Sequence, residues 1–368
     1  MSKNDSSRNE LRAKLFRPIV YLPLVGVVIA LAALLLTVLG NPPNMGFCGA
    51  CFLRDIAGAL GLHSVATLQY VRPEIIGIVI GAFLLALVRK EFVPKGGSAP
   101  VSRFVLGFAM MVGALIFLGC PMRMLLRIAG GDLNAIVGLF GLVAGIFAAT
   151  FFLKRGFSLK RSHAQSKLEG AQLPIATVIL LGILLFAPAV LLFSIEGPGS
   201  MHAPLLISLI VGLVIGALSF ASRFCFTGGV RDAILLKKVP PMLLGLVFLL
   251  GMVFVGNLLL GTFHLGFFDQ PIAHTDGLWN FLSLALVGFS AILLAGCPLR
   301  QLVLAGSGNS DSAIVVAGMI AGAALMHNFH MAASPAGITE NTPYGFAVIS
   351  TLVLAIAVYN TFFAKGTA

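Results

Sequence analysis

The chain has 368 residues, of which 58% are hydrophobic and only 10% charged, and its mean hydropathy is +1.03. Soluble domains carry roughly 25% charged residues, so this composition excludes an ordinary soluble protein and predicts an all-α polytopic membrane protein. The net charge of +11 comes from lysines and arginines at the ends of apolar runs. We therefore interpret it as topology information and expect a lipid bilayer, with no nucleic acid, as the partner.

Apolar runs long enough for one membrane crossing, about 20 residues each, recur along the chain. The first follows a polar, basic segment, is too long for a signal peptide and has no small-residue cleavage site, so we predict an anchor helix. In all we predict about ten transmembrane helices, near 18–40, 71–89, 103–118, 133–153, 173–195, 202–222, 241–262, 278–295, 311–330 and 344–363.

Charges are divided unevenly between the connections of these helices. Lysines and arginines fall in the connections on the side of the basic N-terminus, whereas the other side carries Glu196, Asp269, Asp276 and Glu340. Positive charge marks the cytoplasmic side of a membrane protein. We therefore expect a multi-pass protein of a bacterial-type inner membrane, with both termini in the cytoplasm.

Motifs recur in this chain at one fixed offset in numbering. Cys120 and Cys297, each inside Gly-Cys-Pro-x-Arg, and Cys48 and Cys225, each followed by Arg-Asp, share this offset (297 − 120 = 225 − 48 = 177). The shared offset predicts a tandem repeat. Four spans plus one linking span make an odd number, so the second repeat is expected to enter the membrane inverted. The predicted parts are a cytoplasmic tail (1–17), the first repeat (18–153), a basic linker with its connecting helix (154–201), the inverted second repeat (202–330) and a C-terminal helix with its tail (331–368).

The segments after these four cysteines are too short to cross a membrane but are helix-like. They cover about 48–61, 120–129, 225–236 and 297–305. Broken helices at membrane depth are tolerated only where protein or an aqueous cavity covers them. We therefore predict four short re-entrant half-helices that meet at a central, hourglass-like path.

The half-helices place thiols where an anion is stabilised. In Gly119-Cys120-Pro121 and Gly296-Cys297-Pro298, glycine is expected to allow the turn and proline to take the first helical position. The cysteine is then left at the helix N-terminus, where free amide hydrogens and the helix dipole favour negative charge. We predict that five cysteines form the substrate path: Cys48, Cys120, Cys225, Cys297 and Cys51.

Several residues allow more than one interpretation. Cys48-x-x-Cys51 fits a zinc half-site or a redox pair, but no further metal-site motif follows and Cys51 aligns with Gly228, so we expect no metal, no cofactor and no catalytic residue. The remaining candidates either support the path or are structural. They are Arg54 with Asp55 and Arg231 with Asp232, as paired charges or arginines facing an anion, and Arg123 and Arg300, beside the path or at a membrane surface.

These motifs resemble the YeeE/YedE family of membrane proteins. The resemblance covers about 18–330 and rests on the doubled Gly-Cys-Pro-x-Arg and Cys-x5-Arg-Asp motifs. It implies uptake of thiosulfate past cysteines that pass the ion along by S–H···S contacts, a role that falls on Cys48, Cys120 and Cys297. The Gly-Cys-Pro form is similar to a branch linked to selenium metabolism, and a cytoplasmic TusA-like carrier protein is a further implied partner. Cys51 and the extra C-terminal span depart from the simplest pattern.

Thiols suit such a substrate on chemical grounds as well. Thiosulfate or a selenium analogue has a soft terminal chalcogen and a negative charge. Thiols interact well with the soft chalcogen, and helix N-termini stabilise the charge. We therefore predict a transporter, not an enzyme, for a small sulfur or selenium anion. A membrane thiol relay that accepts sulfur or selenium covalently, and a plain ion or water channel, are the alternatives.

Overall fold

The computed structural model describes residues 18–364, and this part of the chain is almost entirely helical. Its α-helices, in chain order, are α1 (Pro18–Val38), α2 (Gly49–Ala59), α3 (Pro73–Val88), α4 (Pro100–Phe117), α5 (Pro121–Ala129), α6 (Leu133–Lys154), α7 (Lys167–Gly170), α8 (Gln172–Phe186), α9 (Leu205–Ser222), α10 (Phe226–Leu236), α11 (Pro241–Leu259), α12 (Gly277–Leu293), α13 (Pro298–Gly306), α14 (Ser310–Asn328) and α15 (Thr342–Val358). Short 3-10 turns (Ala66–Leu68, Pro188–Val190), a π-helical turn (Tyr359–Phe363) and a two-stranded antiparallel ribbon, β1 (Lys95–Gly96) with β2 (His163–Ala164), complete it.

Nine helical stretches within residues 18–364 are long and apolar enough to cross a membrane. The chain is therefore an all-α polytopic membrane protein, as the composition predicts. Three of the nine join a longer helix to the short α-helix that follows it: α4 with α5, α9 with α10, and α12 with α13.

The predicted span at 173–195 differs from the structure. Its helix, α8, has 15 residues and ends at Phe186, so it is shorter than the nine crossing stretches. Pro188 disfavours helix at the residue before it, and Ala187 accordingly has φ −140°. Beyond the turn the backbone no longer runs as a helix: Leu192 donates to the carbonyl of Ala59 (2.9 Å) at the end of α2.

The connections gather on two opposite faces of the helix bundle. On one, which we call the basic face, loops around 89–99, 155–171 and 307–309 meet; Lys95 donates to the carbonyl of Gly308 (3.1 Å), for example. On the other, the opposite face, loops around 39–48, 60–72, 187–204, 260–276 and 329–341 meet; Gly199 donates to the carbonyl of Thr67 (2.8 Å). The lysine-rich connections and the connections carrying Glu196 and Asp269 are thus on different faces.

Helix starts repeat at the offset seen in the motifs. The first residues of α2, α4, α5 and α6 correspond in this way to those of α10, α12, α13 and α14, respectively (226 − 49 = 277 − 100 = 298 − 121 = 310 − 133 = 177). The offset that aligns cysteines therefore also aligns helical elements. Within residues 18–364, the repeat is a property of structure as well as of motif.

The long helices of the two halves pack against each other in parallel pairs. The pairs are α1 with α11, α3 with α9, α4 with α14, and α6 with α12. Glycines bring the backbones together: a Cβ at Gly141 would meet the backbone of Phe281, and one at Gly145 the backbone of Ala285, one turn along. Small residues permit such close contacts between membrane helices. Each of these four interfaces joins the first half of the chain to the second.

Candidate functional site

Each of four short helices begins directly after a cysteine. Cys48, Cys120, Cys225 and Cys297 are the N-cap residues of α2, α5, α10 and α13, and all four are buried. The first four N–H groups of a helix have no partner within it. Each thiol therefore lies where unpaired donors and the positive end of the helix dipole are concentrated.

Three thiols of the first half form one contact group, which we call the first thiol group. The Sγ atom of Cys48 lies 2.8 Å from Sγ of Cys51 and 3.5 Å from Sγ of Cys120. The backbone N–H of Cys51 also donates to Sγ of Cys48 (3.3 Å). All three cysteines are free and at most 2% exposed. The structure thus brings together thiols from two motifs that are far apart in the chain.

The second half repeats this arrangement with two thiols, the second thiol group. The thiols of Cys225 and Cys297 lie close enough to interact electrostatically, and the Cys225 sulfur lies 3.5 Å from Oγ1 of Thr227. Gly228 occupies the place equivalent to Cys51 and lies next to the side chain of Cys225. The second thiol group therefore lacks a third sulfur.

Backbone amides reach the two Gly-Cys-Pro thiols in similar ways. Sγ of Cys120 lies near the N–H groups of Arg123, in its own helix, and of Ala50, in α2. Sγ of Cys297 lies near those of Arg300, in its own helix, and of Phe226, in α10. Each of these sulfur atoms is thus close to donors at the N-termini of two short helices.

The two thiol groups are neighbours at the centre of the molecule. A Cβ at Gly49, next to Cys48, would lie 3.3 Å from Cβ of Pro298, next to Cys297. Helix α2 also contacts α13, and α5 contacts α10. The N-termini of short helices from both halves of the chain therefore meet.

The turn before each Gly-Cys-Pro motif is not made by its glycine, which corrects our expectation. The left-handed residues are Leu118 (φ 61°) and Ala295 (φ 58°), whereas Gly119 and Gly296 have ordinary backbone angles. A left-handed residue commonly ends a helix, as Leu118 ends α4. The glycines are needed for space instead: a Cβ at Gly119 would lie 3.0 Å from Cδ of Arg123. Pro121 and Pro298 take the first helical position, as predicted.

The Arg-Asp motifs form ion pairs of different depth. Arg54 pairs with Asp55 at 2.7 Å, and Asp55 also pairs with Arg72 at 2.8 Å, all three being buried. The sequence analysis did not identify Arg72 as a partner of Asp55, because Arg72 lies well beyond the Arg-Asp motif and belongs to no motif of its own. Arg231 and Asp232 pair at 2.7 Å with side chains 30% and 36% exposed. Only Asp55 is therefore shared by two arginines.

The arginines of the Gly-Cys-Pro-x-Arg motifs differ as well. Arg123 is buried and donates to the carbonyls of Leu118, Ile272 (3.1 Å) and Pro271 (3.4 Å). It therefore ties α5 to the loop around 260–276 on the opposite face. Arg300 is partly buried, and its Nη1 has no hydrogen-bond partner among the described residues. Arg123 is thus fully buried in the protein, and Arg300 is partly buried.

Sequence reasoning also missed two buried polar clusters on the opposite face. Glu74, expected only to suit a helix dipole, is fully buried and accepts from Asn41 (2.8 Å) and Ser208 (3.1 Å). The rings of His63 and His327 lie 4.8 Å apart. Burial lowers the pKa of His63, whose Nε2 bonds the carbonyl of Arg54 (3.1 Å). No sequence motif predicts these contacts, because the residues they join do not occupy equivalent positions in the two repeats.

Two cavities open near this face. One of about 520 Å³ lies between α1 and α11 and is lined by Asn41 and Asn257. The other, of about 280 Å³, is lined by Arg54, Leu118 and His327 and is called the opposite-face cavity below. Within residues 18–364, no cluster of three or more His, Cys, Asp or Glu is placed to hold a metal ion.

A helical membrane protein with buried thiols at the ends of its short helices is the class that these features define. The chain belongs to the YeeE/YedE family: the family model, described as sulphur transport, matches residues 1–120 and 221–364, well over half of the chain. A search of curated proteins gives no match.

Proposed function

We propose that the two thiol groups form the selective part of a path for a small sulfur-containing anion, thiosulfate or a compound like it. The observation that carries the proposal is the meeting of both thiol groups with four helix N-termini in one buried region. The amide donors stabilise the charge of the anion, and the sulfurs contact its soft terminal atom. Sulfate, which offers only hard oxygens, gains nothing from the thiols.

The proposed path runs between two inverted repeats. Four re-entrant half-helices were predicted, but in this proposal only α2 and α10 are re-entrant, from opposite sides of the bilayer. Helices α5 and α13 instead complete the crossings begun by α4 and α12. The basic face is then cytoplasmic, in a bacterial-type inner membrane, and both termini lie there. A cytoplasmic TusA-like sulfur or selenium carrier would collect the substrate at this face.

Uptake into vesicles tests the proposal. Purified protein in lipid vesicles should accumulate labelled thiosulfate, and Cys120→Ala and Cys297→Ala should abolish this uptake while the variants remain folded and membrane-bound. Cys120→Ser keeps a donor of similar shape but loses the soft sulfur, so uptake should also fall strongly. His264→Leu, at an exposed residue that belongs to none of the cysteine motifs, is the matched control. Competition by selenite and selenide separates a sulfur from a selenium substrate.

A thiol relay is the second candidate, favoured by the 2.8 Å contact of Cys48 with Cys51. In a relay a cysteine thiol takes the outer sulfur of thiosulfate, so that a persulfide forms on the cysteine and sulfite leaves. A carrier forms no such bond. Intact-protein mass spectrometry after incubation with thiosulfate distinguishes the two: a stoichiometric gain of one sulfur, reversed by reductant and required for uptake, would establish the relay, whereas an unchanged mass supports the carrier.

A further inference from the structure

An apolar groove runs along α11 where this helix faces α5 and α6. It consists of two adjoining cavities of about 420 and 180 Å³, which share Val247 and Leu250. Its walls come from α5 and α6 with their connection, from α11, from the start of α10 and from the 260–276 loop, and every lining residue is apolar. The groove has no lining residue in common with the opposite-face cavity. It is therefore a separate feature that offers a ligand apolar contacts.

The place that the repeat relates to this groove is occupied by α8. Helix α8 contacts α3, α13 and α14. Helices α13 and α14 correspond to α5 and α6 at the offset of 177, and α3 packs on α13 as α11 packs on α5. Leu184 of α8 accordingly lies in one buried cluster with Ile76 of α3. An equivalent of α8 would therefore lie between α5, α6 and α11, where the groove is.

The groove itself is not filled by a helix of residues 18–364. Helix α15 lies at the offset of 177 from α8, but it packs on α4 and α12 instead. A Cβ at Gly251, in the wall of the groove, would meet no atom within 4 Å. Two places that the repeat makes equivalent thus differ, because only one of them is covered by this chain.

The groove opens toward the bilayer. Val247, Phe254 and Leu265 line it and are 56%, 40% and 65% exposed, respectively. Water finds no hydrogen-bonding side chain there, and a dry void would deprive the walls of dispersion contacts. Hydrocarbon from the bilayer satisfies such walls without burying a polar group.

The dimensions of the groove suit a lipid chain better than a helix. Along α11 it extends from Leu243 to Phe254, about 17 Å at the helical rise of 1.5 Å per residue. A phospholipid chain reaches across half of a hydrocarbon core of about 30 Å, so one chain matches this length. A helix as long as α8 and about 10 Å wide would fill roughly 1,800 Å³, far more than either cavity provides.

The groove lies directly behind two of the path cysteines. Its wall includes Pro121, which follows Cys120, and Phe226, which follows Cys225. Both cysteines are buried. A hydrocarbon chain in the groove would therefore lie between the thiol groups and the bilayer and would exclude water from that side.

We propose that the groove is a binding site for one hydrocarbon chain of a membrane phospholipid, which takes the place that α8 takes at the equivalent position. The bound chain closes the thiol region toward the bilayer. Only this sealing role rests on the proposed function, since lipid binding is measured without a substrate.

Thermal unfolding of the purified full-length protein in detergent tests the site. Dioleoyl phosphatidylethanolamine should raise the melting temperature of the wild type by about 3 °C, followed by the fluorescence of Trp279. Gly251→Phe puts an aromatic ring into the groove without a collision, so it should lose this lipid-dependent shift. Gly182→Phe in α8, whose Cβ also meets no atom within 4 Å, is the matched control and should keep it.

Native mass spectrometry gives a second readout, and Val247→Phe a second blocking variant, because Val247 lines both cavities. The wild type and Gly182→Phe should retain one phospholipid per chain, and both blocking variants should lose it. Glycerophosphoethanolamine, the headgroup without chains, should not stabilise any of the proteins. Stabilisation by this headgroup alone, or equal lipid retention in all variants, would overturn the site. Loss of a bound protein instead of a lipid from the blocking variants would show that the occupant is a helix and would also overturn it.

Uptake in vesicles of different chain shape tests the sealing role. Methyl-branched diphytanoyl chains fit a narrow groove poorly, so thiosulfate uptake by the wild type should be lower in diphytanoyl than in dioleoyl vesicles. Gly251→Phe carries its own filling and should take up thiosulfate equally in both. An equal decrease in the two proteins would refute the seal. If the wild type takes up no thiosulfate in either lipid, the proposed transport fails, while the unfolding and mass measurements still decide whether the lipid site exists.

Discussion

Cys51 differs from the other four cysteines because it lies inside its helix and not at the helix N-terminus. Its sulfur contacts Cys48 at 2.8 Å, and the second half of the chain has Gly228 in its place. A path that works with two thiols in the second half does not require a third in the first. We therefore predict that Cys51→Ala retains most thiosulfate uptake in vesicles, whereas Cys48→Ala loses it.

An equal loss in Cys51→Ala and Cys48→Ala would contradict this prediction and favour a redox pair. The two thiols would then give up two electrons and two protons to a disulfide-forming oxidant. Gel electrophoresis after thiol trapping would reveal such a disulfide as a band that responds to reductant. If Cys51 is a packing residue, both thiols should instead be trapped in the native protein.

Some residue contacts could be predicted from the sequence and others could not. The repeated offset predicted which cysteines are equivalent, and proximity follows because equivalent residues occupy equivalent helix ends. Arg72 and His327 have no repeat partner and no motif, so nothing in the sequence linked them to Asp55 or to the cavity. Gly119 was expected to allow the turn, but the left-handed residue is Leu118, and Gly119 leaves room for the side chain of Arg123.

At the scale of elements, the 260–276 loop is held by His274. Nε2 of this histidine donates to the carbonyl of Ile116 (2.7 Å), and its Nδ1 accepts from the N–H of Asp276 (3.3 Å). Burial lowers the pKa of His274 below its ordinary value of 6.5. His274 therefore binds a proton less readily in the folded protein than in the unfolded chain. Protonation of the unfolded chain consequently lowers the free energy of unfolding as pH falls below 6.5.

We predict that the melting temperature falls between about pH 7 and pH 5.5 and falls less in His274→Gln. Glutamine keeps a donor toward Ile116 but cannot be protonated. The measurement is thermal unfolding in detergent, followed by the fluorescence of Trp279, the single tryptophan of the chain. At pH 8 the melting temperature of His274→Gln should not exceed that of the wild type. If the melting temperatures of the two proteins depend on pH to the same extent, the assignment to His274 is contradicted.

The interface of α6 with α12 depends on glycine. A side chain at Gly145 would collide with the backbone of Ala285, which cannot move without separating the two helices. Forcing extra volume into a packed interior costs about 1–3 kcal/mol or more. We predict that Gly145→Val lowers the melting temperature and the yield of monodisperse protein, while Gly182→Val in α8, with no neighbouring atom within 4 Å, is tolerated. Size-exclusion chromatography of the two variants, prepared side by side, checks the prediction.

For the whole molecule, the two faces lead to a test of orientation. The basic face is expected to be cytoplasmic because positively charged loops are retained there. On a background without native cysteines, Phe268→Cys on the opposite face should react with an impermeant thiol reagent added outside cells. Arg161→Cys on the basic face should react only after the cells are opened. Labelling of both residues from the same side would refute the inverted arrangement.

The architecture was predictable from the sequence to a large extent. Apolar length predicts the long helices, and the constant offset between the motifs predicts the starts of α10 and α13 from those of α2 and α5. What the sequence did not supply is the cover of the opposite face, where the 187–204 and 260–276 loops pack on residues from distant helices. Such loop positions depend on long-range contacts that leave no periodic signal. Helix α8 was predicted too long for a local reason, because the apolar run continues past the helix break before Pro188.

The pairing of helices across the two halves has a consequence for biosynthesis. Because α1, α3, α4 and α6 each pack on a helix from the second half, the first half has no core of its own when it leaves the ribosome. The glycine-lined surfaces of its helices therefore remain exposed to lipid until their partners are inserted, namely α9, α11, α12 and α14. Folding therefore ends only after the C-terminal partners arrive, and the two halves depend on each other in the way that the subunits of an obligate dimer do.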